Sequence, residues 1–225
     1  MRINAFIARA GIASRRAADE LIKGGKVTIN GRIAQLNDQA GDNDNISVNG
    51  KKITSQRLCY VLLYKPAGYV TTLSDPEGRK KVTDLVDLPE RLVPVGRLDF
   101  NTTGVLLLTN DGQLAHKLMH PSHAVDKVYE AEVKGQVTGQ KLNMLSNGVK
   151  LEDGLTAPAK ARKIADNKIE LTIHEGRNHQ VKRMLAVVDL PVVKLHRSHY
   201  ASLDLDGLTP GSWRKLSASE IKNLL

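Results

Sequence analysis

The stretch Leu92-Val93-Pro94-Val95-Gly96-Arg97-Leu98-Asp99-Phe100-Asn101-Thr102-Thr103-Gly104-Val105-Leu106-Leu107-Leu108-Thr109-Asn110-Asp111-Gly112 sets a polar loop between two apolar segments. Short apolar runs bounded by turn residues are strand signals. Asn110-Asp111-Gly112 ends the second strand, and Gln113 to His120 continues with helical character. Between the strands, Gly96 and Gly104 bracket a loop that projects Arg97 and Asp99 two residues apart. Such a loop is a common place for a catalytic carboxylate, because the scaffold fixes the side chain while substrate reaches it. Asp99 and Asn101 also suit the simpler task of satisfying the amides of their own turn. The loop alone leaves both readings open.

Outward from this loop the same mixture continues. Tyr60 to Tyr64, Val128 to Lys134, Ala159 to Ile164 and Lys168 to His174 read as strands. Gly139 to Ser146 and His179 to Val188 read as helices, and Ser217 with Glu220 forms a capping box for a last one. Without a regular βαβ repeat, this predicts an α+β fold: a mixed, largely antiparallel β-sheet flanked by helices. The first residues differ. Ile3, Phe6, Ile7 and Ala10 recur at helical spacing up to Gly11, and Ser14 caps a second helix with Ala17, Ala18, Leu21 and Ile22 on its apolar side. Gly24-Gly25 ends it, and Asn30-Gly31 turns a hairpin between Val27-Ile29 and Ile33. A polar loop from Asn37 to Asn45 leads to a short strand, Ile46 to Val48. The expected division is a small domain over 1–48, a linker over 49–57 and a larger domain over 58–225.

The 225-residue chain has 33 Lys and Arg against 24 Asp and Glu, a formal charge of +9. That balance favours a polyanionic partner. The charge is concentrated: residues 1–32 hold seven basic side chains against two acidic ones, and Arg177, Lys182, Arg183, Lys194 and Arg197 form a second group. In the small domain Arg9, Arg15, Arg16, Lys23 and Lys26 lie off the apolar positions and are expected to form one RNA-binding surface. No apolar run approaches the ~20 residues of a membrane span, so no membrane role is expected. Neither a secretory signal nor a disulfide from the single Cys59 is expected, which points to the cytoplasm. His116, His120 and His123 lack the companion residues of a zinc site and read as polar surface or RNA contact, as do His196 and His199.

The second informative stretch is Glu175-Gly176-Arg177-Asn178-His179-Gln180-Val181-Lys182-Arg183-Met184-Leu185. It reads as a strand end, a turn and the start of a helix, rich in groups that bind phosphate or pair with a carboxylate. Taken with Gly96-Arg97-Leu98-Asp99, Thr102-x-Gly104 and Lys127-x-Tyr129, it resembles the RsuA/RluB-type branch of the ribosomal RNA pseudouridine synthases, over essentially the whole chain. Residues 1–48 resemble the S4 RNA-binding domain that precedes the catalytic domain in that branch.

The resemblance implies isomerisation of a ribosomal RNA uridine to pseudouridine with no cofactor and no metal. Asp99 matches the catalytic aspartate, and Tyr129 a tyrosine that packs on the base and is a candidate for removing the proton from C5. Lys182 matches the basic residue that pairs with the carboxylate, with Arg183 the neighbouring alternative. Arg97 matches an arginine that helps flip the nucleotide and fills its place in the stack, and Leu185 an apolar residue lining the base pocket. Arg177 and Arg183 are counted with the substrate-binding residues. The expected partner is ribosomal RNA or a ribosomal subunit precursor, 23S rather than 16S, met by a monomer. The competing readings are a non-catalytic RNA-binding assembly protein and an Asp-dependent hydrolase or phosphotransferase, which would need metal-binding carboxylates beside Asp99.

Overall fold

The computed structural model describes residues 1–224. The chain forms two compact units: residues 1–59 with 88–92 and 109–113, and residues 60–87, 93–108 and 114 onward.

The first unit opens with α1 (Ile3–Arg9), which buries Ile3, Phe6 and Ile7, and closes at Gly11 with φ +81°. In α2 (Arg15–Lys23) the Ser14 hydroxyl accepts from the Ala17 amide, while Ala18 and Ile22 are buried. Ala17, expected on the apolar side, is exposed. Strands β1 (Val27–Ile29) and β2 (Arg32–Ile33) form the hairpin, with Asn30 and Gly31 both at positive φ as a primed turn requires. Strand β3 (Ile46–Val48) pairs with β1, and Asn49-Gly50, at φ +51° and +77°, makes a second such turn into β4 (Lys51–Ile53). The four strands lie in the order β2-β1-β3-β4. This corrects the expected linker: residues 49–53 complete the sheet, and Ile53 joins the apolar core with Ile46, Val48 and Phe6. Arg15, Arg16, Lys23 and Lys26 are exposed and Arg9 is half-buried, although Lys23 spends its charge on Glu20 at 2.9 Å.

The second unit is built on a large sheet. Its strands, in chain order, are β5 (Tyr60–Lys65), β6 (Val93–Pro94), β7 (Thr103–Thr109) and β8 (Lys127–Val133). A separate hairpin of β9 (Lys150–Leu151) and β10 (Gly154–Leu155) intervenes before β11 (Lys160–Ala165), β12 (Lys168–Ile173), β13 (Val192–Tyr200) and β14 (Trp213–Lys215). The order is β11-β12-β8-β13-β7-β5-β14, with β6 against β7. Strand β13 runs parallel to β7, whereas the β11–β12, β12–β8, β8–β13 and β5–β14 pairs are antiparallel. Val105, Leu106, Leu107 and Leu108 are all fully buried, so β7 is covered on both faces and its unbroken apolar run is explained. The helices are α3 (Gly112–Met119), α4 (Gly139–Ser146), α5 (Gln180–Val187) and α6 (Ala218–Lys222), the last closed by the expected Ser217–Glu220 box. Strand β13, the longest at nine residues, was not expected. None of the described helices is long and apolar enough to cross a membrane.

Candidate active site

The loop between β6 and β7 is held by main-chain and buried contacts. The Thr102 amide donates to the Asp99 carbonyl at 3.0 Å, so backbone closes the turn. Thr71 Oγ1 donates to the Leu98 carbonyl at 2.7 Å. From behind, fully buried Lys65 at the end of β5 donates to the carbonyls of Phe100 (3.2 Å), Thr102 (2.8 Å) and Pro66 (3.0 Å). Burial pushes the Lys65 ammonium down to about 8, while the charge of Asp99 works in the opposite direction. The task of Lys65 is to anchor the Asp99 loop.

That anchoring leaves the Asp99 carboxylate for the cleft. Lys182 Nζ lies 2.7 Å from its Oδ2 and His179 Nε2 3.5 Å from its Oδ1. Of the two readings left open, the turn-satisfying one therefore fails for the Asp99 side chain. Lys182 sits in the first turn of α5, whose entry is fixed by Gln180. This nearly buried side chain accepts from the Arg177 amide at 2.9 Å and donates to Glu175 at 2.5 Å. A compact partner charge suits the geometry, because a single amine meets a single carboxylate oxygen.

Asp99, Lys182, Arg97, Arg177 and Tyr129 all line one cleft of about 620 Å³, within the range of small-molecule sites. Tyr129, on β8, is 8% exposed, and its hydroxyl oxygen lies 3.5 Å from an Arg197 guanidinium nitrogen. Two expectations need correction. Leu185 is fully buried and does not line the cleft. Val181, one helical turn earlier, lines it instead, and Ile173 on β12 and Leu195 on β13 are among the other apolar residues of the wall. Arg183 does not reach Asp99: it makes a two-pronged pair with Asp153 at 2.9 and 3.0 Å. Arg177 reaches the cleft edge, but it is engaged by Asp153, Glu175 and the carbonyls of Gly154 and Leu155.

Arg197, a member of the second basic group, is 2% exposed. Its Nε and Nη2 donate to the Val105 carbonyl at 2.9 and 2.7 Å. Beside it, Gly104 at φ +123° lets β7 approach β13, since a Cβ there would collide with the Arg197 backbone. His196 is likewise part of the sheet, bonded through Nδ1 to Thr103 Oγ1 at 2.8 Å and packed edge-on to Tyr64. The rings of His116, His120 and His123 pack in series, and no cluster of three or more His, Cys, Asp or Glu among the described residues is arranged to hold a metal.

An apolar-walled cleft that presents the Asp99 carboxylate, its lysine partner and a tyrosine, on an α+β sheet with a small basic domain on the same chain, suits an enzyme that acts on a base of RNA. The chain belongs to the RNA pseudouridylate synthase family: the family model matches residues 59–187, and the S4 domain model matches residues 1–46. It is 48% identical to the ribosomal large subunit pseudouridine synthase B of Bacillus subtilis, over 99% of this chain and 95% of that protein. Identity to the protein of that name from Escherichia coli K12 is 39%, over 99% of this chain and 81% of the other. A crystal structure of a pseudouridylate synthase, 35% identical, superposes with a TM-score of 0.75 over the whole of both chains.

Proposed function

We propose that this enzyme isomerises a uridine of ribosomal RNA, in the large (23S) subunit, with Asp99 as nucleophile and without a cofactor. The 2.7 Å Asp99–Lys182 pair, at a cleft also lined by Tyr129, carries the reading. Chemistry on a base within folded RNA requires the nucleotide to leave the stack, at a cost of a few kcal/mol that pocket contacts offset. Arg97 lines the cleft and is the residue we assign to the vacated place in the stack. The carboxylate of Asp99 bonds to C1′ as the N1–C1′ bond breaks, the uracil turns against Tyr129 between Val181 and Leu195, and C5 then bonds to C1′ as the Asp99 carboxylate leaves it. Tyr129 accepts the C5 proton as its own hydroxyl proton passes to water, and N1 gains a proton from water, so composition is unchanged. Arg177 and Arg183 act at one remove, by fixing the turn through His179 and the start of the helix that carries Lys182.

The alternative Asp-dependent hydrolase finds no support in the cleft. Its other carboxylate, Glu175, is committed to Arg177, Gln180 and the Ala157 amide. The N-terminal unit, taken through Ile53, docks RNA phosphates with Arg9, Arg15, Arg16, Lys23 and Lys26. The reading takes the enzyme to act as a monomer, in the cytoplasm, on ribosomal RNA or a ribosomal subunit precursor.

The deciding experiment is tritium release from 5-[³H]uridine-labelled 16S and 23S RNA, free and in immature subunits, with wild type and Asp99→Ala. Release from the 23S substrate, abolished by the substitution, is expected. No release from any substrate would leave the chain as a non-catalytic RNA-binding assembly protein.

A further inference from the structure

Two cations in the cleft have no part in the scheme above. Arg197 is almost fully buried on β13, and Lys127 is half-buried at the start of β8. Both face one ring: the Arg197 guanidinium carbon is 4.9 Å and Lys127 Nζ 5.7 Å from the centre of Tyr200, itself 1% exposed. Neither has a carboxylate at ion-pair distance among the described residues. Lys127 Nζ donates only to the carbonyls of Val125 (2.7 Å) and His174 (3.2 Å). Arg197 spends Nε and Nη2 on Val105, which leaves Nη1 beside the Tyr129 hydroxyl. Burial and then the neighbouring guanidinium push Lys127 down to about 8 against the pull of the adjacent Asp126 carboxylate, which stays beyond ion-pair distance of the amine. Keeping two unpaired cations out of water is costly. A cleft built this way is prepared for a negative charge that arrives only during the reaction.

We propose that Lys127 and Arg197 form a cationic pole, separate from the Asp99–Lys182 pair, that stabilises the uracil ring as an anion when the glycosidic bond breaks. The inference rests on the reaction proposed above. As the N1–C1′ bond cleaves, its electron pair passes to the ring and spreads onto O2 and O4, while the positive charge left at C1′ is met by Asp99. When C5 attacks C1′ a ring pair becomes the new C–C bond and the Asp99 carboxylate leaves; the C5 proton goes to Tyr129 as its hydroxyl proton passes to water, and N1 is protonated. The anion exists only between these events, so the pole lowers the barrier without tightening RNA binding. The ring of Tyr200 holds both cations in place and shields them from water. Its hydroxyl donates to the Leu118 carbonyl and stays protonated, burial pushing it up to about 12.

The test uses the full chain under single-turnover conditions, with a target RNA carrying either uridine or 5-fluorouridine. Fluorine at C5 itself stabilises the ring anion, so a variant lacking the pole should be less impaired on that substrate. Lys127→Met is expected to lose about 100-fold or more in rate on uridine, the cost of removing one preorganised donor, with RNA affinity held within about threefold. Chromatography of digested RNA, which follows loss of the parent nucleoside, should show the deficit at least about tenfold smaller on 5-fluorouridine. Arg197→Lys, which keeps charge but loses the fork on Val105, should fall between wild type and Arg197→Met. Lys127→Met carries the test if Arg197→Met does not fold. An equal deficit on both substrates, or a loss that appears in affinity, overturns the proposal. Wild-type rates in Lys127→Met with an inactive Asp99→Ala overturn it alone. Inactivity of the wild type overturns it together with the reaction on which it rests.

Discussion

Gly104→Ala tests the central joint of the sheet. Gly104 sits opposite Arg197 in the two-residue parallel register of β7 and β13, at φ +123°. An L-residue at that backbone angle carries about 1–3 kcal/mol of strain. The added methyl would also fall inside the contact distance of the Arg197 carbonyl, so β13 must move, and such overpacking costs about 1–3 kcal/mol more. A total of about 2–6 kcal/mol should lower Tm by roughly 5–20 °C in a chain of this size. Circular dichroism melts of wild type and variant measure it directly. The displacement also drags Arg197 off the Val105 carbonyl, so pseudouridine formation at a temperature where the variant is folded should fall as well. A Tm within about 2 °C of wild type, with activity kept, would refute the close approach of β7 and β13 and the reason given for this glycine.

Three further outcomes are expected. Arg15→Ala with Arg16→Ala should weaken RNA binding and reduce the slope of log K against log salt by about 2, without changing the rate on saturating RNA; titrations at several salt concentrations decide it. Lys65→Met should slacken the Asp99 loop by removing three carbonyl bonds, lowering the single-turnover rate more than RNA affinity; the reverse order would relocate its role. Glu220 is held down to about 2, from its ordinary 4.5, by Arg214 and by the Ser217 amide and hydroxyl. A carboxylate that binds its proton less readily in the folded chain stabilises that fold above pH 4.5 and loses this contribution as pH falls toward 2. Glu220→Gln should therefore cost about 1 kcal/mol at pH 7, after allowance for its partial exposure, and converge with wild type in acid melts.

Wherever one local signal sufficed, the sequence was legible. Helical spacing at Ile3, Phe6 and Ile7, the Ser14 cap, the Asn30-Gly31 turn and the Ser217–Glu220 box all stand where local chemistry puts them. Asn49-Gly50 carried the same turn signal as Asn30-Gly31, and reading it as a boundary missed β4. The loss of β13 has a different cause. Val192-Val193-Lys194-Leu195-His196-Arg197-Ser198-His199-Tyr200 alternates imperfectly and is crowded with charge, which reads as surface until β7 and β8 close on either side. The register of α5 was similarly hidden: helical spacing admits both Val181 and Leu185 on one face, and only the packed sheet decides which meets the cleft.

The position of β13 also bears on how the molecule is made. Strands β7 and β8 are completed early in synthesis, yet they never touch each other through hydrogen bonds; β13, about sixty residues later in the chain, fills the gap between them. Until it emerges, both carry unsatisfied inner edges, the kind of surface that recruits other nascent chains. The N-terminal unit has all four strands of its own sheet by Ile53 and faces no such delay. Nascent protein thus passes through a stage at which its RNA-docking half is largely built while its catalytic half is open and adhesive. A chain cut short before Val192 would be expected to aggregate, and one that extends past Tyr200 to fill the gap between β7 and β8.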